Sequence, residues 1–92
     1  MLYRILAIGD VVGEPGLRHL QRHLRSVKRL KDIHFTVVNG ENTAGTGIMP
    51  DQVEDLYAAG ADVVTLGNHT FGKQQIAHRL EDDPYLLRPA NY

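Results

Sequence analysis

Ninety-two residues with ten basic and eleven acidic side chains, a formal charge of −1, fit one small domain with no broad field to draw DNA, RNA or anionic lipid. The apolar share of 42% and charged share of 23% are those of an ordinary globular chain. There is no cysteine, which excludes disulfides, thiolate ligands and a cysteine nucleophile and leaves oxygen and imidazole to hold any metal. No apolar run approaches the ~20 residues that span a bilayer, and no basic segment and cleavage site open the chain, so the expected setting is the cytoplasm.

Tyr3 to Ile8 is a short apolar run closed by Gly9 and Asp10, the pattern of a strand buried on both faces. A loop, Gly13-Glu14-Pro15-Gly16, follows. Leu17, Leu20, Leu24 and Val27 then recur at helical spacing, with Arg18, Arg22, Arg25 and Lys28 on another side as a solvated face. Phe35 to Val38 is a second strand ended by Asn39-Gly40, and a glycine-bearing loop runs from Gly45 to Gly47. Pro50 suits the first turn of a helix whose apolar stripe is Val53, Leu56 and Tyr57, stopped by Gly60. Asp62 to Leu66 is a third strand, Lys73 to Leu80 a shorter helix, and Tyr85 to Leu87 opens a fourth strand. The order β-α-β-α-β-α-β predicts an α/β fold with a parallel sheet and right-handed crossovers.

That topology has a chemical consequence. Parallel strands point their carboxyl ends one way, and ligands of open sheets bind outside that edge. Asp10 after the first strand, Glu41 and Asn42 after the second, and Asn68 and His69 after the third therefore share one rim. Two carboxylates, two amide carbonyls and an imidazole are donors for divalent cations, and a carboxylate between two such ions holds them ~3.5–4 Å apart. A glycine stands before each group, at Gly9, Gly40 and Gly67, where the backbone can turn sharply.

Gly9-Asp10-Val11-Val12-Gly13, Asn39-Gly40-Glu41-Asn42, Gly67-Asn68-His69-Thr70 and Arg88-Pro89-Ala90-Asn91-Tyr92 together resemble the motifs of the YmdB family, within the calcineurin-like metallophosphoesterase superfamily. The resemblance runs over essentially the whole chain. It implies the first part of an α/β/β/α sandwich without its second half, so that residues 1–92 form a single incomplete domain. By motif, Asp10 would ligate a first metal, Glu41 would bridge two, Asn42 would sit at the first and Asn68 at the second. His69 would be the general acid toward the leaving oxygen. The implied cofactors are two divalent ions, iron or manganese, and the implied substrate is a small phosphodiester, notably a 2′,3′-cyclic nucleotide.

Members of that family are longer, and their further histidine ligands come from loops beyond the point matched by Tyr92. A homo-oligomer or a complementing carboxy-terminal half is therefore expected to cover the sheet. The remaining histidines do not replace those ligands: His19 and His23 are four apart on the first helix among arginines, His34 stands at the amino end of a strand, and His78 lies inside the third helix. Where many relatives carry an aromatic and then an acidic residue after the third motif, this chain has Phe71-Gly72-Lys73, which predicts a looser, less acidic loop. Two other readings compete with this one. One is an inactive fragment or interaction protein that keeps the motifs. The other is a nucleotide-binding module on Gly9, Gly13 and Gly16, in which Val11 occupies the place of the second fingerprint glycine and Asp10 would repel pyrophosphate.

Overall fold

The computed structural model describes residues 2–91. Among them, strands and helices alternate as β1 (Ile5–Ile8), α1 (Gly13–Leu30), β2 (Phe35–Asn39), α2 (Pro50–Ala59), β3 (Val63–Thr65), α3 (Ala77–Asp82) and β4 (Leu86–Leu87). The sheet runs β1-β2-β3-β4 with every pair parallel, Ile5 opposite Phe35, Val37 opposite Val63 and Val64 opposite Leu86. The α/β class and the parallel order are those expected from the alternation of apolar runs with helical stripes.

The side-chain alternation of the strands divides the sheet into two unlike faces. On one, Val38, Val64 and Leu86, joined by the partly buried Ile8, pack against Leu17, Val53, Leu56 and Ile76. Leu17, Leu56 and Ile76 are at most 1% exposed, and each contributes about 2 kcal/mol of burial. On the other face Ile5, Phe35 and Leu87 are 67%, 40% and 44% exposed. The expected burial on both faces is therefore met on one face only within the described residues. The open face of the sheet is thus an exposed apolar surface among the described residues.

Two elements differ from their expected bounds. Gly13 to Gly16 is the first turn of α1, not a loop. Pro15 sits where its missing N–H has no partner to lose, and Gly13, at φ +65°, makes the bend that admits the helix. The expected helix from Lys73 is split into a one-turn 3-10 helix at Gln74–Ile76 and then α3. The tighter winding ends with Ile76 wholly buried in the core. The basic side of α1 does more than solvate the helix: Arg25 Nη2 donates to Ala58 O at 2.8 Å and Lys28 Nζ to Gly60 O at 2.6 Å. Both satisfy carbonyls at the end of α2. No helix of the described residues is long and apolar enough to cross a membrane.

Candidate metal centre

The rim at the carboxyl ends of β1, β2 and β3 is held together by its backbone before any side chain is considered. Val11 N–H donates to Asn39 O at 3.1 Å, Gly13 N–H to Asn42 O at 3.0 Å and Gly40 N–H to Thr65 O at 2.8 Å. The segments Gly40-Glu41-Asn42-Thr43 and Gly67-Asn68-His69-Thr70 then make the same turn. Thr43 Oγ1 donates to Gly40 O at 3.0 Å, and Thr70 Oγ1 donates to Gly67 O at 2.7 Å. Both threonines are fully buried. Each hydroxyl ties back to the carbonyl three residues before it, for Gly40 O beside the Thr43 N–H at 3.2 Å, and so fixes the two residues between glycine and threonine at the surface. Sequence reasoning passed over these threonines, although the shared G-x-x-T spacing after two successive strands was visible.

On this frame Asp10, Asn42 and His69 form one hydrogen-bonded chain. Asn42 Nδ2 donates to Asp10 Oδ1 at 2.7 Å, and His69 Nδ1 lies 2.8 Å from Asn42 Oδ1. An ionised carboxylate only accepts, so Asp10 fixes the amide with its nitrogen inward, and the amide oxygen then faces the imidazole. Nδ1 of His69 must carry a proton to meet that oxygen, which leaves Nε2 as the nitrogen available to a ligand. Asp10 and His69, on the loops after β1 and β3, are thus joined through one amide.

Glu41 completes the group differently. Its Oε2 is 3.8 Å from His69 Nδ1, and it is a buried oxygen with no hydrogen-bond partner among the described residues. A buried anionic oxygen left unpaired is costly, and one explanation of such an atom is an ion that belongs beside it. Asn68 stands apart: it lies in the one-turn helix Gly67–His69 with its side chain exposed, and it takes no part in this chain of contacts. Among the described residues no three histidine or carboxylate side chains gather closely enough to hold a metal unaided. The donor set is mixed. Two carboxylates and an amide oxygen suit a hard divalent cation, and the imidazole suits a transition metal.

The glycines before these groups serve separate purposes. Gly9 has open space around it; Gly40 is pressed by Ile48, Val64 and Leu56, so it is a core contact; Gly67 has φ +53° and lies against the Glu41 carboxyl group. Gly72 does not loosen its loop as expected. A Cβ there would meet Gly47 N and Thr46 O at 3.0 Å, and one on Gly47 would meet Lys73 N at 2.9 Å, so the loops after β2 and β3 are packed backbone to backbone. The other histidines stay outside the rim. His19 and His23 are an exposed pair with ring centroids 4.5 Å apart, and His34 Nδ1 accepts from Arg4 N–H at 3.0 Å at the amino end of β2. His78 is exposed on α3. The surface groove lined by Phe71, Ala77, Leu80, Glu81 and Arg88 contains none of the five rim residues. Tyr92, the last residue of the fourth motif, lies outside the described residues.

A parallel α/β sheet with oxygen donors, amides and an imidazole on its carboxyl rim defines a class of proteins that bind ligands beyond the strand ends. The particular family follows from comparison with known proteins. Residues 6–92 match the family model described as YmdB-like protein, and the chain belongs to that family. It is 44% identical over 90 residues to a 2′,3′-cyclic-nucleotide 2′-phosphodiesterase of Bacillus subtilis (strain 168), covering 97% of this chain and 34% of that protein. It is 32% identical over 89 residues to the putative phosphatase/phosphodiesterase MG246 of Mycoplasma genitalium, covering 96% of this chain and 32% of that protein. Among solved structures, a hypothetical protein from Thermus thermophilus superposes with a TM-score of 0.87 at 39% identity, over 97% of this chain and 34% of that one. A novel phosphatase from Mycoplasma pneumoniae superposes with a TM-score of 0.87 at 27% identity, over 95% of this chain and 31% of its own. The chain spans about a third of the length of the relatives it matches.

Proposed function

We propose that this chain supplies one side of a dinuclear metal centre that hydrolyses phosphodiesters, 2′,3′-cyclic nucleotides foremost, in the cytoplasm. The observation that carries the reading is Glu41 Oε2, a buried anionic oxygen without a hydrogen-bond partner among the described residues, on a rim of further donors. Asp10 and Asn42 would hold the first ion, Glu41 would bridge, and Asn68 would reach the second, with iron or manganese as the metals. Bound there, divalent ions would polarise the phosphoryl group and lower the pKa of bound water. As general acid His69 would carry a second proton on Nε2 and pass it to the leaving oxygen, returning to the neutral ring whose Nδ1–H the Asn42 carbonyl holds in place.

The relatives named as phosphodiesterase and phosphatase support hydrolysis of a phosphoester, and the first of them supports the cyclic nucleotide. One observation favours a second role. The open sheet face, with Ile5, Phe35 and Leu87 exposed, is a surface for a partner, either a second copy or a complementing carboxy-terminal half. On that reading the isolated chain is an inactive interaction unit until covered. Counting manganese or ferrous ions bound per chain at equilibrium without oxygen separates the two. Two ions, lost in Glu41→Ala, establish the centre; none, with phosphodiesterase activity also absent, leaves the interaction role.

A further inference from the structure

Gly67, in the loop after β3, faces the Glu41 side chain of the loop after β2, and what it lacks is a side chain. A Cβ built there would stand 2.9 Å from Glu41 Oε1, 2.7 Å from Cδ and closer still to Oε2. The other glycines of the rim are placed differently: Gly40 faces apolar carbons, and Gly45 and Gly9 face open space. The Glu41 side chain is only 19% exposed, so it occupies the gap left by the missing Cβ instead of extending into solvent. We propose that Gly67 is a positioning residue, whose bare Cα forms the slot that sets the Glu41 carboxylate against β3. The inference rests on the reading of Glu41 as a metal ligand, and it adds how that ligand is aimed.

The slot explains why the carboxylate accepts burial with an unpaired oxygen. The turn of β2 sends the side chain toward the end of β3, and the Gly47–Gly72 packing closes the two loops on each other. The carboxyl group is then held near His69 Nδ1, 3.8 Å away. A methyl group at position 67 would push it out of line and leave the other donors where they are.

Gly67 is also at φ +53°, so replacing it strains the backbone for a reason unrelated to Glu41. Gly45, at φ +87° with open space around it, serves as the control for strain alone. The test is thermal melting of the 92-residue chain in the presence of chelator, with Gly67→Ala and Gly45→Ala made in the parent and in Glu41→Ala. Gly67→Ala is expected to lower Tm by about 8 °C or more in the parent, and by about half of that once Glu41 is gone. Gly45→Ala is expected to shift both backgrounds equally. An equal loss from Gly67→Ala with and without the Glu41 carboxyl group overturns the slot. Should Gly67→Ala not fold, its folding must return on adding Glu41→Ala, and failure to return overturns the slot as well.

A manganese titration of the same variants then reads function apart from stability. Gly67→Ala should weaken binding at least ~10-fold, which is ~1.4 kcal/mol. Glu41→Asp, shorter by one methylene, should restore part of the loss in the Gly67→Ala background. Should the parent itself bind no manganese, the metal centre is refuted, while the melting comparison, made without metal, still decides the slot.

Discussion

Two carboxylates at opposite ends of the sheet are shielded from water to a similar degree and treated in opposite ways. Asp83, just before β4, has a side chain 7% exposed and accepts from Tyr57 Oη at 2.7 Å, Tyr85 N–H at 2.9 Å and Arg79 Nε at 3.1 Å. Arg79 is held in turn by Glu54 and stands over the Tyr57 ring. Glu41, just after β2, has a side chain 19% exposed and keeps one oxygen with no partner among the described residues. Burial of charge therefore does not mark a functional residue here. What separates the two is satisfaction: the amino-end cluster is closed upon itself and structural, whereas the rim carries an unmet acceptor. The Tyr57 hydroxyl belongs to the closed cluster as well, its pKa pushed up by burial and by the hydrogen bond to Asp83.

The comparison is broken or kept by removing each carboxylate in turn from the metal-free chain. Asp83→Ala takes away three acceptor contacts and leaves the Tyr57 hydroxyl and Arg79 Nε unpaired, so stability should fall by about 3 kcal/mol. Melting should drop by more than about 10 °C. Glu41→Ala removes an oxygen with no hydrogen-bond partner among the described residues, so stability should stay within about 1 kcal/mol of the parent or rise. A loss from Glu41→Ala as large as that from Asp83→Ala, in a chelator-treated melt, would show that Glu41 is a structural acid too.

Much of this contrast was legible in the sequence, and only on one side. Asp10, Glu41, Asn42, Asn68 and His69 were placed on a common rim because parallel topology fixes which strand ends face together, and the strands were readable as apolar runs. The strands themselves were found within one or two residues. What was not legible depends on contacts between residues distant in the chain. Nothing local to Asn42 says that its amide would link Asp10 to His69, or that Asn68 would stand aside. Gly72 read as a loosening residue because sequence gives a glycine its freedom but not its neighbour, and the neighbour is Gly47. The Asp83 cluster was missed altogether: Tyr57 read as part of a helix stripe, and nothing near Arg79 or Asp83 in the sequence says that the three would meet.

The second prediction uses acid. Burial by itself would raise the Asp83 carboxyl, but the hydrogen bonds from Tyr57, the Tyr85 backbone and Arg79 outweigh it and hold the group below its ordinary value. With its folded pKa depressed, Asp83 binds its proton less readily in the folded than in the unfolded chain, so protonation favours unfolding. Its contribution is complete above the unfolded value of about 3.9 and is lost as pH falls through the folded one. Urea midpoints of the parent and of Asp83→Asn should therefore differ by a constant amount above about pH 5 and converge below about pH 4. A separation that persists unchanged to about pH 2 would mean that Asp83 gains nothing from its charged form.

The smallest effect tests the criterion of satisfaction itself. Besides Glu41 Oε2, one other side-chain atom among the described residues is buried without a partner: the hydroxyl of Thr36, on the helix-covered face of β2. Its backbone N–H is met by Asp62 Oδ2 at 2.8 Å, so the residue is held in the strand without any help from Oγ1. If an unmet acceptor marked function wherever it occurred, Thr36 would belong to a site, and it lies among Val38 and its core neighbours instead. The difference is charge and place. A neutral hydroxyl in a core costs the fold a little and offers a ligand nothing, while an anionic oxygen on an open rim costs more and can be offset by a cation. Thr36→Val exchanges the hydroxyl for a methyl group at nearly the same volume, on a β-strand that favours branched side chains. It should raise stability by about 0.5–1 kcal/mol, read as a Tm increase of a few degrees, and leave the manganese titration of the chain unchanged. A change in manganese binding would make the hydroxyl part of the centre, and orphaned atoms could then no longer be sorted into core and rim by charge.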